Sequence, residues 1–100
     1  MTERVSNLAD LQRYRDEILR IAAQHHVRQI RVFGSLVNGN LTPTSDIDFL
    51  VEFEPDYKLR DHIRLVQALQ NLLGRQVEVA DQAMLRDELR PSILASVRPL

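Results

Sequence analysis

The sequence predicts an α/β (α+β) fold in which helices cover one face of a small mixed β-sheet. Three short stretches alternate between apolar and polar residues as strands do, at residues 27–33, 46–53 and 76–80. Two longer stretches repeat apolar residues at helical spacing, at residues 6–26 and 59–73. Because 100 residues can build one hydrophobic core of useful size, we expect a single domain over residues 1–100.

The first half of the chain begins with a predicted amphipathic helix. Ser6 and Asn7 can cap its start, and Asp10 places a negative charge in its first turn, where the helix dipole favours one. The helix is expected to end near residues 25–26 and to lead into a strand over 27–33 that stops at Gly34. Residues 35–38 then fit one helical turn, and residues 39–45 fit a loop.

The second half of the chain adds two strands and three helices. A strand over 46–53 is followed by a helix over 59–73, for which Gly74 is a suitable C-terminal stop. A short third strand is predicted over 76–80 and one short helix over 82–89. Pro91 suits the first turn of a final helix that runs to about residue 97.

The direction of the strands follows from which residues must meet. If Ser35, after the first strand, is to lie near Asp46, at the start of the second, those two strands must be antiparallel. A helix of roughly 16 residues is about 24 Å long, enough to return the chain so that the third strand runs parallel to the second. Glu78 can then approach the aspartates, on the face opposite the helices.

Composition excludes several classes of protein. Hydrophobic residues make up 44% and charged residues 27%, as in an ordinary soluble globular domain, and no apolar run approaches the ~18 residues that span a bilayer. The first ten residues lack the apolar core of a signal peptide, and there is no cysteine, so a cytoplasmic location is expected. A formal charge of −1 argues against strong binding of free nucleic acid.

Three acidic residues are the candidate metal ligands. Asp46 and Asp48 lie two residues apart and therefore on one face of a strand, while Ile47 and Phe49 face the core. Neighbouring like charges repel, and with Glu78 the three carboxylates suit a hard cation with oxygen ligands, Mg²⁺ first. Read alone, the two aspartates would also fit a solvated strand start, and Glu78 a surface acid on an edge strand.

Gly34 and Ser35 supply the second half of the predicted site. A Gly-Ser pair at a strand-to-helix turn offers backbone N–H groups and a hydroxyl that can hold a polyphosphate. Beside a cluster of carboxylates, such a turn suits nucleotidyl transfer assisted by two metal ions. Arg28 and Arg31 are expected to alternate poorly with the catalytic face, although either could reach a phosphate.

Gly34-Ser35, ten intervening residues and then Asp46-Ile47-Asp48 resembles the GS-x10-D-x-D pattern of the polymerase beta nucleotidyltransferase superfamily. The surrounding VFGS, PTSDIDFLVEF and LLGRQVEVAD look like the minimal nucleotidyltransferase group, over roughly residues 18–97. The resemblance implies a palm-like core, two Mg²⁺ ions, and ATP as substrate. Some members of the group are antitoxins that transfer AMP to a tyrosine of a HEPN-domain toxin encoded beside them.

The resemblance also implies roles for individual residues. Asp46, Asp48 and Glu78 would be the catalytic and metal-binding acids, and Gly34 and Ser35 would bind the β- and γ-phosphates of ATP. The chain departs from the family in having Glu78 where the family usually has Asp, and a misplacement near 1 Å can lower a rate about a hundredfold. It also has Leu36 and Asn38 where arginines are frequent.

Three functions are therefore carried forward from the sequence. The leading hypothesis is a protein adenylyltransferase that acts as the antitoxin of a HEPN toxin. The second is an antitoxin with weak or no catalysis that neutralises its toxin by binding, which the departures at Leu36, Asn38 and Glu78 favour. The third is nucleotidyl transfer to a small molecule such as an aminoglycoside, which normally needs an added acceptor-binding domain.

Overall fold

A computed structural model describes residues 5–100 of the chain. Residues 1–4 belong to the predicted single domain and to the N-terminal stretch judged unlike a signal peptide, and they lie outside the described residues. In order, the elements are α1 (Leu8–Gln12), α2 (Arg15–Gln24), β1 (Val27–Phe33), α3 (Ser35–Asn38), β2 (Ile47–Phe53), α4 (Leu59–Leu73), β3 (Val77–Asp81), a 3₁₀ turn (Gln82–Met84) and α5 (Arg90–Ser96).

The sheet has the predicted topology. Its strands lie in the order β1-β2-β3, with β1 antiparallel to β2 and β2 parallel to β3. Helix α4 makes the crossover from β2 to β3, and it ends at Gly74 in the left-handed conformation (φ 67°) that glycine adopts without strain. The prediction of a small mixed sheet is thus confirmed.

One face of the sheet and helices α2 and α4 enclose the hydrophobic core. The helices contribute residues at helical spacing, and the strands contribute every second residue, because alternate side chains of a strand point to one face. The buried members from these elements are Ile18, Ala22, Val27, Ile30, Val32, Ile47, Phe49, Val51, Phe53, Leu65, Leu69, Leu73, Val77 and Val79. Val27 departs from the alternation because the register of β1 shifts between Val27 and Gln29.

The N-terminal helix is interrupted, whereas the sequence predicts a continuous helix over residues 6–26. Helix α1 ends in tightened turns, in which Tyr14 N–H donates to Leu11 O (2.9 Å), and α2 restarts with Tyr14 as its N-cap. Leu11 and Ile18 are both fully buried. Their separation of seven residues is two turns of a continuous helix, so the apolar spacing does not reveal the interruption.

The segment after β3 also differs from its prediction. The expected helix over 82–89 is a single 3₁₀ turn, because the Asp81 carboxylate accepts from Ala83 N–H (3.0 Å) at its start and Leu85 is extended at its end. This turn packs on β2. Leu50 is 1% exposed although it lies on the sheet face opposite the core. The part of that face nearest the 3₁₀ turn is therefore covered.

The chain after α5 closes the free edge of β1. Val32 N–H donates to Arg98 O (2.9 Å), and Arg98 N–H donates back to Val32 O (2.8 Å), which forms an antiparallel bridge. Pairing of this kind satisfies backbone groups that an edge strand would otherwise expose. Within residues 5–100, no helix combines the length and the apolar character that crossing a membrane requires.

Candidate active site

Gly34 forms the turn between β1 and α3. Its backbone has φ 78° and ψ −146°, a conformation open to glycine but strained for other residues. A Cβ atom on Gly34 would lie 3.2 Å from Cγ of Asp48 and would overlap its Oδ2 atom. The missing side chain therefore leaves the space that the Asp48 carboxylate occupies.

Asp48 and Glu78 lie side by side on neighbouring strands. The register pairs Asp48 with Phe33 of β1 on one side and with Glu78 of β3 on the other. Asp48 is half-buried, whereas Glu78 is exposed. The strand pairing thus brings the Gly34 turn, Asp48 and Glu78 together.

The electrostatics of Asp48 are those of a crowded carboxyl group. The pKa of Asp48 is raised from 3.8 to about 6, chiefly by burial and also by the negative charge of Glu78, a hydrogen bond between the two carboxyl groups and the charge of Asp46. A carboxyl–carboxyl hydrogen bond requires a proton on one of the two groups. Asp48 therefore holds a proton more readily than an isolated aspartate.

Asp46 lies one residue before β2, although the sequence predicts it as the first residue of that strand, and its side chain is exposed. The loop that leads to it is held by the buried Arg75 side chain, whose guanidinium donates to the carbonyl oxygens of Thr42 and Ser45 (2.9 Å to Ser45). Thr42 and Ser45 also close a tight turn, in which Ser45 N–H donates to Thr42 O (3.1 Å). Arg75 thereby positions the backbone that carries Asp46.

The three acids fit a hard cation in their chemistry and only partly in their arrangement. All their ligand atoms are carboxylate oxygens, which Mg²⁺ prefers, and their mutual repulsion favours a positive ion between them. However, across residues 5–100 no group of three or more His, Cys, Asp or Glu side chains is gathered closely enough to form a metal site. Asp48 and Glu78 are adjacent on paired strands, whereas Asp46 lies outside the strands, one residue before β2.

Arg31 lies on the same sheet face as Asp48, contrary to the expectation from the sequence. Ile30 and Val32 point into the core, so Arg31 points to the opposite face, where it pairs with Leu50. The alternation Ile30-Arg31-Val32 in the sequence shows that Arg31 faces away from the core. Placing Arg31 on the face of Asp48 also requires the antiparallel register, which sets Phe33 beside Asp48. Arg28 is exposed near the far end of β1.

A cavity of about 440 Å³ opens at the other end of the sheet, where β2 and β3 end. Its walls include Phe53 and Tyr57, whose rings stack at 4.3 Å, and Asp81, which accepts a hydrogen bond from the Tyr57 hydroxyl (3.3 Å). None of the three candidate catalytic acids lines this cavity. Asp81 therefore has a structural role away from the acids, consistent with its position three residues after Glu78.

Comparisons with known proteins agree with this geometry. Residues 15–98 match the nucleotidyltransferase domain family. A Thermococcus cleftensis protein named protein adenylyltransferase MntA is 38% identical over 71 residues, which cover 71% of this chain and 72% of the relative.

Solved structures give the same result for the fold. A structure described as a minimal nucleotidyltransferase superposes with a TM-score of 0.84 at 38% identity, covering 94% of this chain and 96% of the other. The antitoxin fold in a complex of a tri-AMPylated Shewanella oneidensis HEPN toxin with its MNT antitoxin has a TM-score of 0.66 at 19% identity, covering 87% and 68%.

The family match spans most of the chain and includes the Gly34 turn, Asp46, Asp48 and Glu78. These residues lie where the strand register brings a Gly-Ser turn against a pair of carboxylates. The chain belongs to the nucleotidyltransferase domain family and is a nucleotidyltransferase.

Proposed function

We propose that this chain is a protein adenylyltransferase that transfers AMP from ATP to a tyrosine hydroxyl of a HEPN-type toxin and so acts as the antitoxin of the pair. The observation that carries the proposal is the contact of the Asp48 carboxylate with both the Gly34 turn and Glu78. The named activity of the Thermococcus cleftensis relative supports AMP as the transferred group. The shared fold of an MNT antitoxin bound to a HEPN toxin supports the kind of partner.

The proposed reaction joins an acceptor oxygen to the α-phosphorus of ATP. The bond between the α-phosphorus and the bridging oxygen breaks, pyrophosphate leaves, and the acceptor proton passes to a base, for which Glu78 is the candidate. Mg²⁺, when held by Asp46, Asp48 and Glu78, would lower the pKa of the acceptor hydroxyl and offset the charge of the leaving pyrophosphate.

Gly34 and Ser35 would bind the β- and γ-phosphates. At the start of α3 the first backbone N–H groups have no acceptor within the helix, so they can donate to phosphate oxygens. Gly34 leaves room for Asp48, and the Ser35 hydroxyl adds a donor beside the turn. The chain has Leu36 and Asn38 here instead of arginines, so we expect weaker binding of triphosphate than in members that carry them.

A second function is favoured by one observation. The three acids are not gathered into a metal-binding group within the described part of the chain. An antitoxin with little catalysis, which neutralises its toxin by covering it, is compatible with that arrangement.

The test is to incubate the chain with its proposed HEPN-domain partner, Mg²⁺ and ATP, and to measure the partner's mass. We expect an increase of one or more AMP groups, lost with Asp48→Asn and with a Tyr→Phe acceptor variant. Absence of AMP on the toxin, with a stable complex and loss of toxicity, would replace this proposal with the binding-only antitoxin.

A further inference from the structure

Arg31 occupies a position from which it can reach the space beside Asp48. In the β1–β2 ladder Arg31 is opposite Leu50, and Asp48 is two residues from Leu50, so Arg31 and Asp48 are diagonal neighbours. Such neighbours lie about 7–8 Å apart on one face of an antiparallel pair, within reach of a long side chain. Arg31 is on the side of Asp48 that faces away from Gly34, because Phe33 separates it from the turn.

The Arg31 guanidinium lacks a negative partner in residues 5–100. The side chain is half-buried, and its Nη2 donates to the amide oxygen Oε1 of Gln82 (2.6 Å). Its Nε is buried with no hydrogen-bond partner, and no carboxylate of the described chain forms an ion pair with it. Partly buried cations are normally paired, because removing charge from water has a cost that a neutral amide offsets only in part.

Gln82 fixes the position of the Arg31 side chain through this hydrogen bond. Gln82 is the first residue of the 3₁₀ turn, and the Asp81 carboxylate caps that turn by accepting from Ala83 N–H. The side-chain amide of Gln82 is therefore held close to the end of β3. The guanidinium is therefore held on the Asp48 face of the sheet by a neutral amide and not by a carboxylate.

We propose that Arg31 binds the α-phosphate of the nucleotide, an inference that rests on the proposed nucleotidyl transfer. The β- and γ-phosphates are assigned to the Gly34–Ser35 turn, and the α-phosphate is the group that must lie at Asp48. A phosphate beside Asp48, on the side away from Gly34, would lie within reach of the Arg31 guanidinium. A guanidinium pairs well with phosphate oxygens, and negative charge shifts across the α-phosphate during transfer, so the contact would stabilise that charge.

The experiment compares the binding of AMP and adenosine by titration calorimetry with Mg²⁺ present. Neither ligand has a leaving pyrophosphate, so no transfer takes place and the ratio of the two affinities reports the phosphate alone. We expect Arg31→Met to lower the AMP-to-adenosine affinity ratio about tenfold or more, since it removes a charge-assisted hydrogen bond. Arg28→Met, which removes the same charge from an exposed position on β1, should leave the ratio unchanged.

Gln82→Glu separates phosphate binding from a merely structural role. It places a carboxylate where the amide oxygen accepts from Arg31, so it should raise the melting temperature while lowering the AMP-to-adenosine ratio as Arg31→Met does. If Arg31 only stabilises the fold, Gln82→Glu will raise the melting temperature and leave the ratio unchanged. That result, or a wild-type protein that does not prefer AMP to adenosine, overturns the inference.

The two proposals fail in different ways. If Arg31→Met does not fold, Arg31→Lys and Gln82→Glu still test phosphate binding, because each keeps a cation at residue 31. Transfer to the toxin at the wild-type rate by both variants, with unchanged AMP affinity, would remove Arg31 from the site and leave the adenylyltransferase proposal standing. If AMP binding depends on Arg31 but no AMP is transferred to the toxin, Arg31 remains a phosphate-binding residue and the adenylyltransferase proposal fails.

Discussion

The carboxylate of Asp48 lies against the Cα atom of Gly34, so closely that a Cβ atom at residue 34 would come within 3.2 Å of Asp48 Cγ. Two residues separated by 13 others in the sequence are thus adjacent because β1 and β2 are antiparallel. The contact joins the proposed phosphate-binding turn to the acid at the centre of the site. Glycine is therefore required at residue 34 for two reasons, the positive φ of the backbone and the space that the Asp48 carboxylate occupies.

Gly34→Ala is expected to disable the site. The new methyl group adds backbone strain at positive φ and displaces the Asp48 carboxylate, so we expect a loss of about 3 kcal/mol in unfolding free energy and of nearly all transfer activity. Gly39→Ala is the control, because Gly39 also has positive φ (76°) but has open space around its Cα. It should lose about 1 kcal/mol and keep activity, measured by urea unfolding and by AMP transfer. Equal activity in the two variants would contradict the Asp48 placement.

Asp48→Asn should abolish transfer and increase stability at neutral pH. The folded-state pKa of about 6 lies above the ordinary 3.8, so the contribution of Asp48 to stability is fully present below about pH 4 and is lost as pH rises through about 6. We therefore expect the variant to be more stable than the wild type by about 1 kcal/mol near pH 7.5, after allowance for solvent screening, with the difference vanishing near pH 4.

Thermal unfolding at several pH values without divalent cations measures the difference. Asp16→Asn serves as the control, since it makes the same change in a side chain that is 98% exposed. A constant difference between wild type and Asp48→Asn from pH 4 to pH 8 would show that Asp48 does not carry the raised pKa. Asp46→Asn should also lose transfer, and wild-type activity in either variant would remove that residue from the metal site.

Glu78→Gln is expected to abolish transfer, because an amide can neither accept the acceptor proton nor offer a full negative charge to a metal ion. Glu78→Asp should lower the rate about tenfold or more, since the Glu78 carboxyl already contacts Asp48 and a shorter side chain withdraws it by about one bond length. Glu52→Gln, a control on the same face of β2, should have the wild-type rate. A faster Glu78→Asp enzyme would show instead that the site is built for aspartate.

Mg²⁺ together with a non-hydrolysable ATP analogue should raise the melting temperature, whereas Mg²⁺ alone should change it little. The described acids do not form a complete metal site by themselves, so phosphate oxygens are needed to complete the coordination. Stabilisation follows ligand concentration relative to Kd and reaches about 2.7 kcal/mol at a hundred times Kd. Equal shifts with and without nucleotide would indicate a preformed ion site.

The local sequence determined most of the secondary structure, and the requirement that the Gly-Ser turn meet the acids predicted the directions of the strands. The alternation of Ile47, Phe49 and Val51 with Asp48 and Glu52 placed apolar residues in the core and acids on the opposite face, because side chains of a strand alternate. Gly74 ended α4, as its freedom at positive φ predicts. The spacing of the Gly-Ser turn and the two aspartates was enough to indicate the family, and residues 15–98 match it.

Tertiary structure decided what no local pattern contains. The helix break near Tyr14 leaves no mark in the apolar spacing of Leu11 and Ile18, and the covering of Leu50 depends on the path of the chain after β3. The raised pKa of Asp48 needs the carboxyl of Glu78, which is 30 residues away in sequence and adjacent only through parallel pairing. The diagonal position of Arg31 relative to Asp48 has the same origin. Alternation decides which face of the sheet Arg31 occupies, but the strand register decides which residues are its neighbours, and long-range packing sets the register.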